Sequence, residues 1–487
     1  MTPVHLTAIT GALRRAELLV ATEGELPSAV EAITDDSRAV RRGALFVAVR
    51  GSERDGHDFL PAALDAGASV AVVEDSAATG LPRLVVRDGR RAAAIAAAAF
   101  YGEPARKLRL VGVTGTNGKT TVVGMLRHLL DEPASRSASI GTLGTLIGSQ
   151  GIEMPGGNGL TTPGPVELQR VLCMLVKAGV RTVAIETSSH ALDQRRLEGL
   201  HFAAGVFTNV TRDHLDYHGT MEAYVAAKGA LVGLIERGGT AVVNADDTVW
   251  TSLAARRRMT FGLSRDANVR AESVRFTPRG SEWQLVMGDA RYDVALGLLG
   301  AFNVSNALAA AAAANVLGAA PAAIAHRLAS LPQVPGRLEI INERPTVLRD
   351  YAHTPDALDR AIDAVRPFTT GSLIVVFGCG GDRDRGKRPE MGRIAEQKAD
   401  RVIITSDNPR TEDPEQILDD IEAGMRGSHV RITDRQEAIA YAVREAASDD
   451  VILLAGKGHE TYQIRGTVKY PFDEREIVQS IVSTAVR

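Results

Sequence analysis

The stretch from Gly115 to Thr121 reads GTNGKTT, a combination of residue types able to hold phosphate. Glycines let backbone N–H groups approach an anion, a lysine adds a point charge, and a threonine hydroxyl can serve a hard cation such as Mg2+. The common phosphate loop keeps four residues between its first glycine and Gly-Lys-Thr. Only two separate Gly115 from Gly118, and Gly112 lies one residue too far back. The setting is still that of a phosphate loop. An apolar run, 109–113, leads in, and TTVVGMLRHLL leads out as an amphipathic helix whose start would face an anion. Gly115, Thr116, Asn117, Gly118, Lys119, Thr120 and Thr121 are therefore expected at the phosphates of a nucleotide. Lys119 would serve the β- and γ-phosphates, and Thr120 would serve Mg2+.

Two later blocks add polar chemistry. In AIETSSHALDQRR (184–196), Glu186 ends an expected strand, where open α/β sheets place their ligands. A carboxylate there suits Mg2+, and Thr187, Ser188, Ser189 and His190 follow it directly. In FTNVTRDHLDYHGTMEAYVAAKGALV (207–232), His214 and His218 stand four apart, a spacing a helical zinc pair could use. LDYHG makes a poor helix interior, however, and nothing completes a zinc site, so His214 and the nearby carboxylates fit a magnesium neighbourhood better. Lys228 lies in an apolar helical stretch, and by itself reads as a surface lysine laying its stem along apolar surface.

The elements that must position these groups alternate. Expected strands are 44–49, 69–74, 109–114, 181–187, 203–210, 239–244, 372–378, 401–406 and 450–456, many of them continuously apolar. Such runs mark parallel strands buried on both faces, and the helical segments between them imply βαβ units. The fold class is α/β. Proline- and glycine-bearing stretches at 101–110 and 329–339 divide the 487 residues into three expected domains, 1–107, 108–334 and 335–487.

The bulk composition excludes several roles. With 56 basic and 59 acidic residues the net charge is −3, no electrostatic case for nucleic acid or an anionic membrane. The two cysteines, Cys173 and Cys379, have no CxxC partner, which points to a reducing compartment. No secretory leader and no apolar run of about 18 residues is evident, so a cytoplasmic protein acting on small molecules is expected. The alanine-rich runs at 91–100 and 307–318 read as closely packing helices.

Together GTNGKTT, TTP (161–163), ETSSH, TNVTRDHLDYHG and YVAAK resemble the Mur ligases, the ATP-dependent amide-forming enzymes of peptidoglycan precursor synthesis. The shortened loop is that superfamily's form, shared with folylpolyglutamate synthases. The likeness continues through DDSRAVRRGALFVAVRG, DGHDF, FNVSN, PGRLE, DYAHTPDAL, GCGGDRDRGKRP, DNPR and AGKGHETYQ, and so spans nearly the whole chain in order. The N-terminal motif argues against a folylpolyglutamate synthase, which begins near the ATPase domain.

The resemblance implies an N-terminal domain for the UDP-sugar, a central P-loop-type ATPase and a C-terminal Rossmann-like domain that closes over the site, in a monomer. It implies Ser37 and Arg38 at the uridine nucleotide, and Thr161, Thr162, Ser188, Gln194 and Arg196 along the sugar-peptide. Asn303, Arg337, Asp350 and His353 would hold the rest of ATP. Thr120, Glu186 and His214 would arrange Mg2+. Lys228 would carry a CO2-derived carbamate and bind a second Mg2+. Family members that add meso-2,6-diaminopimelate to the D-glutamate of the UDP-muramoyl-dipeptide carry DNPR. Arg410 would fork onto the far carboxylate, with Arg383, Asp407, Asn408, Gly456 and Glu460 around it. Lysine or ornithine remain alternatives.

Overall fold

The computed structural model describes residues 2–51, 54–75, 80–157, 159–277 and 279–485. Its strands gather into three large sheets. The first, in spatial order 19–23, 83–86, 68–73, 44–47 and 32–34, is parallel except for the antiparallel pair at the 19–23 edge. The third runs 339–343, 346–350, 451–455, 373–377, 401–404 and 430–431, parallel after its opening hairpin.

The second sheet positions most of the site. Its strands lie in the order 152–154, 144–147, 136–141, 180–186, 109–114, 202–207, 235–244, 258–262, 269–277, 280–287 and 290–296. The seven from 136–141 to 269–277 are parallel, and both edges turn antiparallel. Alternating side chains feed two cores. Val111 and Val113 face the helices Lys119–Leu129 and Ala301–Val316, whereas Leu110 packs on the opposite side with helix Pro165–Lys177. Ala307–Ala314 of the long helix are almost all alanine and fully buried, which lets it approach closely.

From strand Arg109–Thr114 the chain first crosses to 136–141 and 180–186 on one side, then to 202–207 on the other. That reversal opens a crevice at the strands' carboxyl ends, where such sheets take ligands. Glu186 ends one flanking strand, and Thr208–Val210 follow the other.

Expected strands recur with shifted ends. The run 203–210 stops at Phe207, because Thr208 and Asn209 turn to bond the glycine loop. The run 239–244 starts earlier, at Ile235. The antiparallel strands 269–277, 280–287 and 290–296 escaped the sequence reading because their half-exposed, charged faces lack a continuous apolar run.

Candidate active site

Strand Arg109–Thr114 hands the chain to Gly115, whose φ of +149° brings it against the neighbouring loop. A Cβ there would stand 1.9 Å from Thr208 Oγ1, so only glycine fits. Gly118, at φ +89°, is the N-cap of helix Lys119–Leu129 and has no side-chain cap. The helix start thus keeps N–H groups free of any capping side chain, the arrangement that receives phosphate. A Cβ on Gly118 would meet Asn306 Oδ1 at 2.4 Å. Asn209 braces the loop, its Oδ1 accepting Asn117 N–H (3.0 Å) and its backbone oxygen accepting Thr116 N–H (2.7 Å).

Two lysines converge on this loop. Lys119 Nζ donates to the carbonyls of Gly115 (2.9 Å) and Thr116 (2.8 Å). Lys228 Nζ donates to the same Gly115 carbonyl at 2.7 Å and lies 4.2 Å from the centroid of the Tyr224 ring, one helical turn earlier. Lys228 is 1% exposed, not the surface lysine its sequence context implies. Burial, aided by the charge of Lys119, drives its amine well below the ordinary lysine value. Tyr224, itself fully buried, bonds Thr116 through its hydroxyl (3.1 Å) and so ties the Lys228 helix to the loop.

Glu186 is 1% exposed, and burial raises its carboxyl above the usual range although Lys119 pulls the other way. Its oxygens accept Thr142 N–H (2.8 Å) and the Thr142 hydroxyl (3.2 Å), and Thr120 also bonds it. A cavity of about 30 Å3, lined among others by Thr120, Gly141 and Glu186, has room for one ion or water. Among the described residues no three His, Cys, Asp or Glu side chains form a metal cage. Oxygen donors next to a phosphate loop fit Mg2+, which takes few protein ligands and relies on substrate phosphates. His214 lies near Asp213, Lys119 and Lys228, at the left-handed φ of +53° before a one-turn helix, Leu215–His218. The rings of His190, His214 and His218 form an aromatic cluster with Tyr217 and Tyr224. Burial beside the other two histidines lowers His190 to about 4.

The residues expected along a sugar-peptide form one network. Thr162 Oγ1 donates to the Glu186 carbonyl (2.7 Å) and accepts Ser188 N–H (3.1 Å), and Thr161 reaches Thr142 at 3.4 Å. Arg196 donates twice to Gln194 Oε1 and once to the Thr162 carbonyl. Gln194 in turn donates to Tyr217. The loop bearing Ser37 comes near, since Asp35 Oδ2 lies 3.7 Å from where a Gly164 Cβ would stand. Arg38 itself points to solvent, forked onto its neighbour Asp36.

The third sheet closes the cleft from the far side. Arg337 donates to Thr120 Oγ1 (3.1 Å) and stacks over Tyr351. Asn117 of the glycine loop donates to Asp356 Oδ2 at 3.0 Å, and Thr211 reaches the same oxygen at 3.4 Å. Asp350 is pushed up to about 6 by burial and accepts Leu338 N–H. His353 borders the cleft with Nδ1 on the Tyr351 carbonyl. Asn303 is turned inward, bonding Leu299 and Asn306. Gly336, in the connection entering this sheet, has φ +67°, and a Cβ there would strike His459 N at 2.1 Å.

Adjacent strands of that sheet end at Phe377, Ile404 and Ala455, and the loops after them carry Arg383, Asp407–Arg410 and Gly456–Glu460. Asp407 is 9% exposed, and its Oδ2 has no protein partner. Gly456 makes room for that oxygen, since a Cβ would lie 2.6 Å from it. Arg410, at the left-handed φ of +52°, donates Nη1 to Gly381 O. Asn408 is oriented by its neighbours. Its amide is held by Lys457, Ile464 N–H and Glu460. Arg383 is exposed and makes no such contact.

Several contributors were not singled out from the sequence: Thr142, Asn209, Tyr224, Asn306, Asp356 and Lys457. Asn303 and Asn306, spaced one turn apart in FNVSN, were a legible signal. Thr142 and Asp356 act only through tertiary approach.

Comparison with known proteins gives this arrangement its relatives. Residues 29–101 match the Mur ligase family catalytic domain, 113–314 the Mur ligase middle domain, and 336–458 the Mur ligase glutamate ligase domain. The UDP-N-acetylmuramoyl-L-alanyl-D-glutamate–2,6-diaminopimelate ligase of Geobacillus thermodenitrificans is 45% identical over 467 residues, 93% of this chain and 95% of its own. That of Gloeobacter violaceus is 43% identical, over 97% of this chain and 98% of its own. A solved structure of a ligase of that name superimposes with a TM-score of 0.68 at 33% identity, covering 100% of both chains. With a shortened glycine loop, two converging lysines and these matches from end to end, the chain belongs to the Mur ligase family.

Proposed function

We propose that the protein is an ATP-dependent ligase that joins meso-2,6-diaminopimelate to the D-glutamate carboxylate of UDP-N-acetylmuramoyl-L-alanyl-D-glutamate, a step of peptidoglycan precursor synthesis. The observation that carries the reading is the meeting of Lys119 and Lys228 at the Gly115 carbonyl, beside Glu186, in a cleft closed by Arg337 and Asp356. We take 1–107, 108–334 and 335–487 as the units binding UDP-sugar, ATP and amino acid.

A carboxylate is a poor electrophile. Moving the γ-phosphoryl of ATP onto it gives an acyl phosphate, which an amine attacks with loss of phosphate. Both first reactants are anions, so positioning and charge neutralisation dominate. The uncapped start of helix Lys119–Leu129 and the Lys119 ammonium hold the phosphates. Thr120 and Glu186 would hold a Mg2+ ion, and His214 and Lys228 a second, which would supply further neutralisation of the phosphates. Burial drives the Lys228 amine well below the ordinary lysine value, which favours the unprotonated form that can add CO2 to become an anionic ligand. Arg337, Asp350 and His353 approach the nucleotide from the third sheet. Closure through Asn117–Asp356 keeps water from the acyl phosphate. Thr161, Thr162, Ser188, Gln194 and Arg196 orient the sugar-peptide, with Ser37 and Arg38 toward the uridine end.

For the amine, Arg410 suits a far carboxylate, and the partnerless Asp407 Oδ2 and Glu460 suit ammonium groups. The relatives named for 2,6-diaminopimelate support that choice. One assay tests it. UDP-muramoyl-dipeptide, ATP and Mg2+ are mixed with meso-diaminopimelate, L-lysine or L-ornithine separately. Phosphate should be released only with acceptor and amine both present, and fastest with diaminopimelate. Release that ignores the acceptor would overturn the ligase reading.

A further inference from the structure

Lys457 lies in the loop after strand Val451–Ala455 and is fully buried, yet it touches neither the glycine loop nor any phosphate-binding group. Glycines flank it at φ +116° (Gly456) and +54° (Gly458), backbone that turns the lysine inward. Its Nζ has two oxygen partners, Asn408 Oδ1 at 3.0 Å and Glu460 Oε2 at 3.2 Å. The rings of Tyr462 and Phe472 stand 5.9 and 5.8 Å away.

These contacts settle the state of two neighbours. Asn408 Oδ1 receives Lys457 Nζ and the Ile464 N–H (2.9 Å), so the oxygen must face the lysine. The amide nitrogen then lies on the other side and donates one of its two N–H groups to Glu460 Oε2 at 2.8 Å. Both protein donors to Glu460 fall on Oε2, and among the described residues none reaches Oε1. A buried ion pair adds little stability over well-packed apolar side chains, and its best-attested use is to fix one arrangement.

We propose that Lys457 is a positioning residue for the incoming amine: it fixes the Asn408 amide and turns Glu460 so that Oε1 is presented to an ammonium group of the amino acid. The inference rests on the amine assignment above. Lys457 does not contact the amine. It ties the loops after strands 401–404 and 451–455, which flank strand 373–377 on either side, to the hairpin 462–471, and makes them one rigid wall.

The test compares wild type, Lys457→Met, Lys457→Gln, Glu460→Gln and the Lys457→Met/Glu460→Gln double variant, each checked for folding by thermal unfolding and for ATP binding. Lys457→Met should raise KM for diaminopimelate about tenfold or more, as expected when a charged hydrogen-bond donor is lost, with KM for ATP unchanged. Lys457→Gln keeps an N–H donor and should recover part of the loss. Adding Glu460→Gln to Lys457→Met should cost less than Glu460→Gln alone, because Glu460 is already misplaced. Multiplicative effects, or equal rises in both KM values, would overturn the proposal. A crystal structure of Lys457→Met should show Asn408 and Glu460 displaced, and unmoved side chains would also overturn it. That readout holds even if the wild type ligates no diamino acid, an outcome that would refute the amine assignment alone.

Discussion

Lys119 and Lys228 place their side-chain nitrogens on one acceptor, the Gly115 carbonyl oxygen, at 2.9 and 2.7 Å. Two ammonium ions on one carbonyl would repel, and the charge of Lys119 adds to burial in lowering Lys228. Burial lowers both amines, Lys228 well below the ordinary lysine value, while the carboxylate of Glu186 draws Lys119 back toward its charged form.

Lys119→Ala should abolish phosphate release while leaving the fold, measured by circular dichroism, unchanged. The expected drop is at least about a hundredfold, the scale for losing one preorganised charge in a transition state. Turnover that persists would refute the phosphate-loop assignment.

Lys228→Ala should be inactive and partly rescued by short carboxylic acids that stand in for a carbamate. With 13C-bicarbonate the wild type should show a carbamate carbon signal that the variant lacks. Because burial lowers the amine's pKa, protonation and loss of the carbamate occur only on the acid side of that lowered value. At limiting CO2, activity should fall on acidification and be restored by added bicarbonate.

Arg410→Lys keeps charge but loses the planar fork. KM for diaminopimelate should rise about tenfold or more, the scale of one lost charged hydrogen bond, with ATP binding unaffected. An unchanged KM for the amino acid would count against the grip.

Asp356→Ala removes the acceptor of Asn117 and Thr211. Closure should loosen, so acyl phosphate is lost to water and ATP hydrolysis without ligation rises. Tight coupling in the variant would show that closure does not depend on this contact.

Burial raises Asp350 from 3.8 to about 6, so between those values the folded state holds more protons than the unfolded one. Its contribution to stability is greatest at low pH and declines as pH rises through that window. The shift corresponds to about 3 kcal/mol. Denaturant titrations at about pH 4 and above pH 7 should show Asp350→Asn gaining on the wild type at the higher pH, less the cost of its altered bond to Leu338.

Much of this was legible in the sequence. Continuous apolar runs marked the parallel strands, and the motif order marked the glycine loop, Glu186 and the loops bearing Asp407–Arg410 and Gly456–Glu460. What stayed hidden depends on approach in space. Lys228 read as a surface residue because its helix is apolar on most sides, and only the fold shows Gly115 above it. Nothing in the sequence showed that Lys457, Ile464 and Glu460 would hold the Asn408 amide. Asp356 lies in an ordinary helix start, and only closure brings it to Asn117.

Gly336 sits under the same loop that carries Lys457 and Glu460, with no space for even a methyl group between it and His459. The connection into the last sheet and the loop bearing Lys457 and Glu460 therefore pack backbone against backbone, and any side chain at position 336 would have to displace that loop.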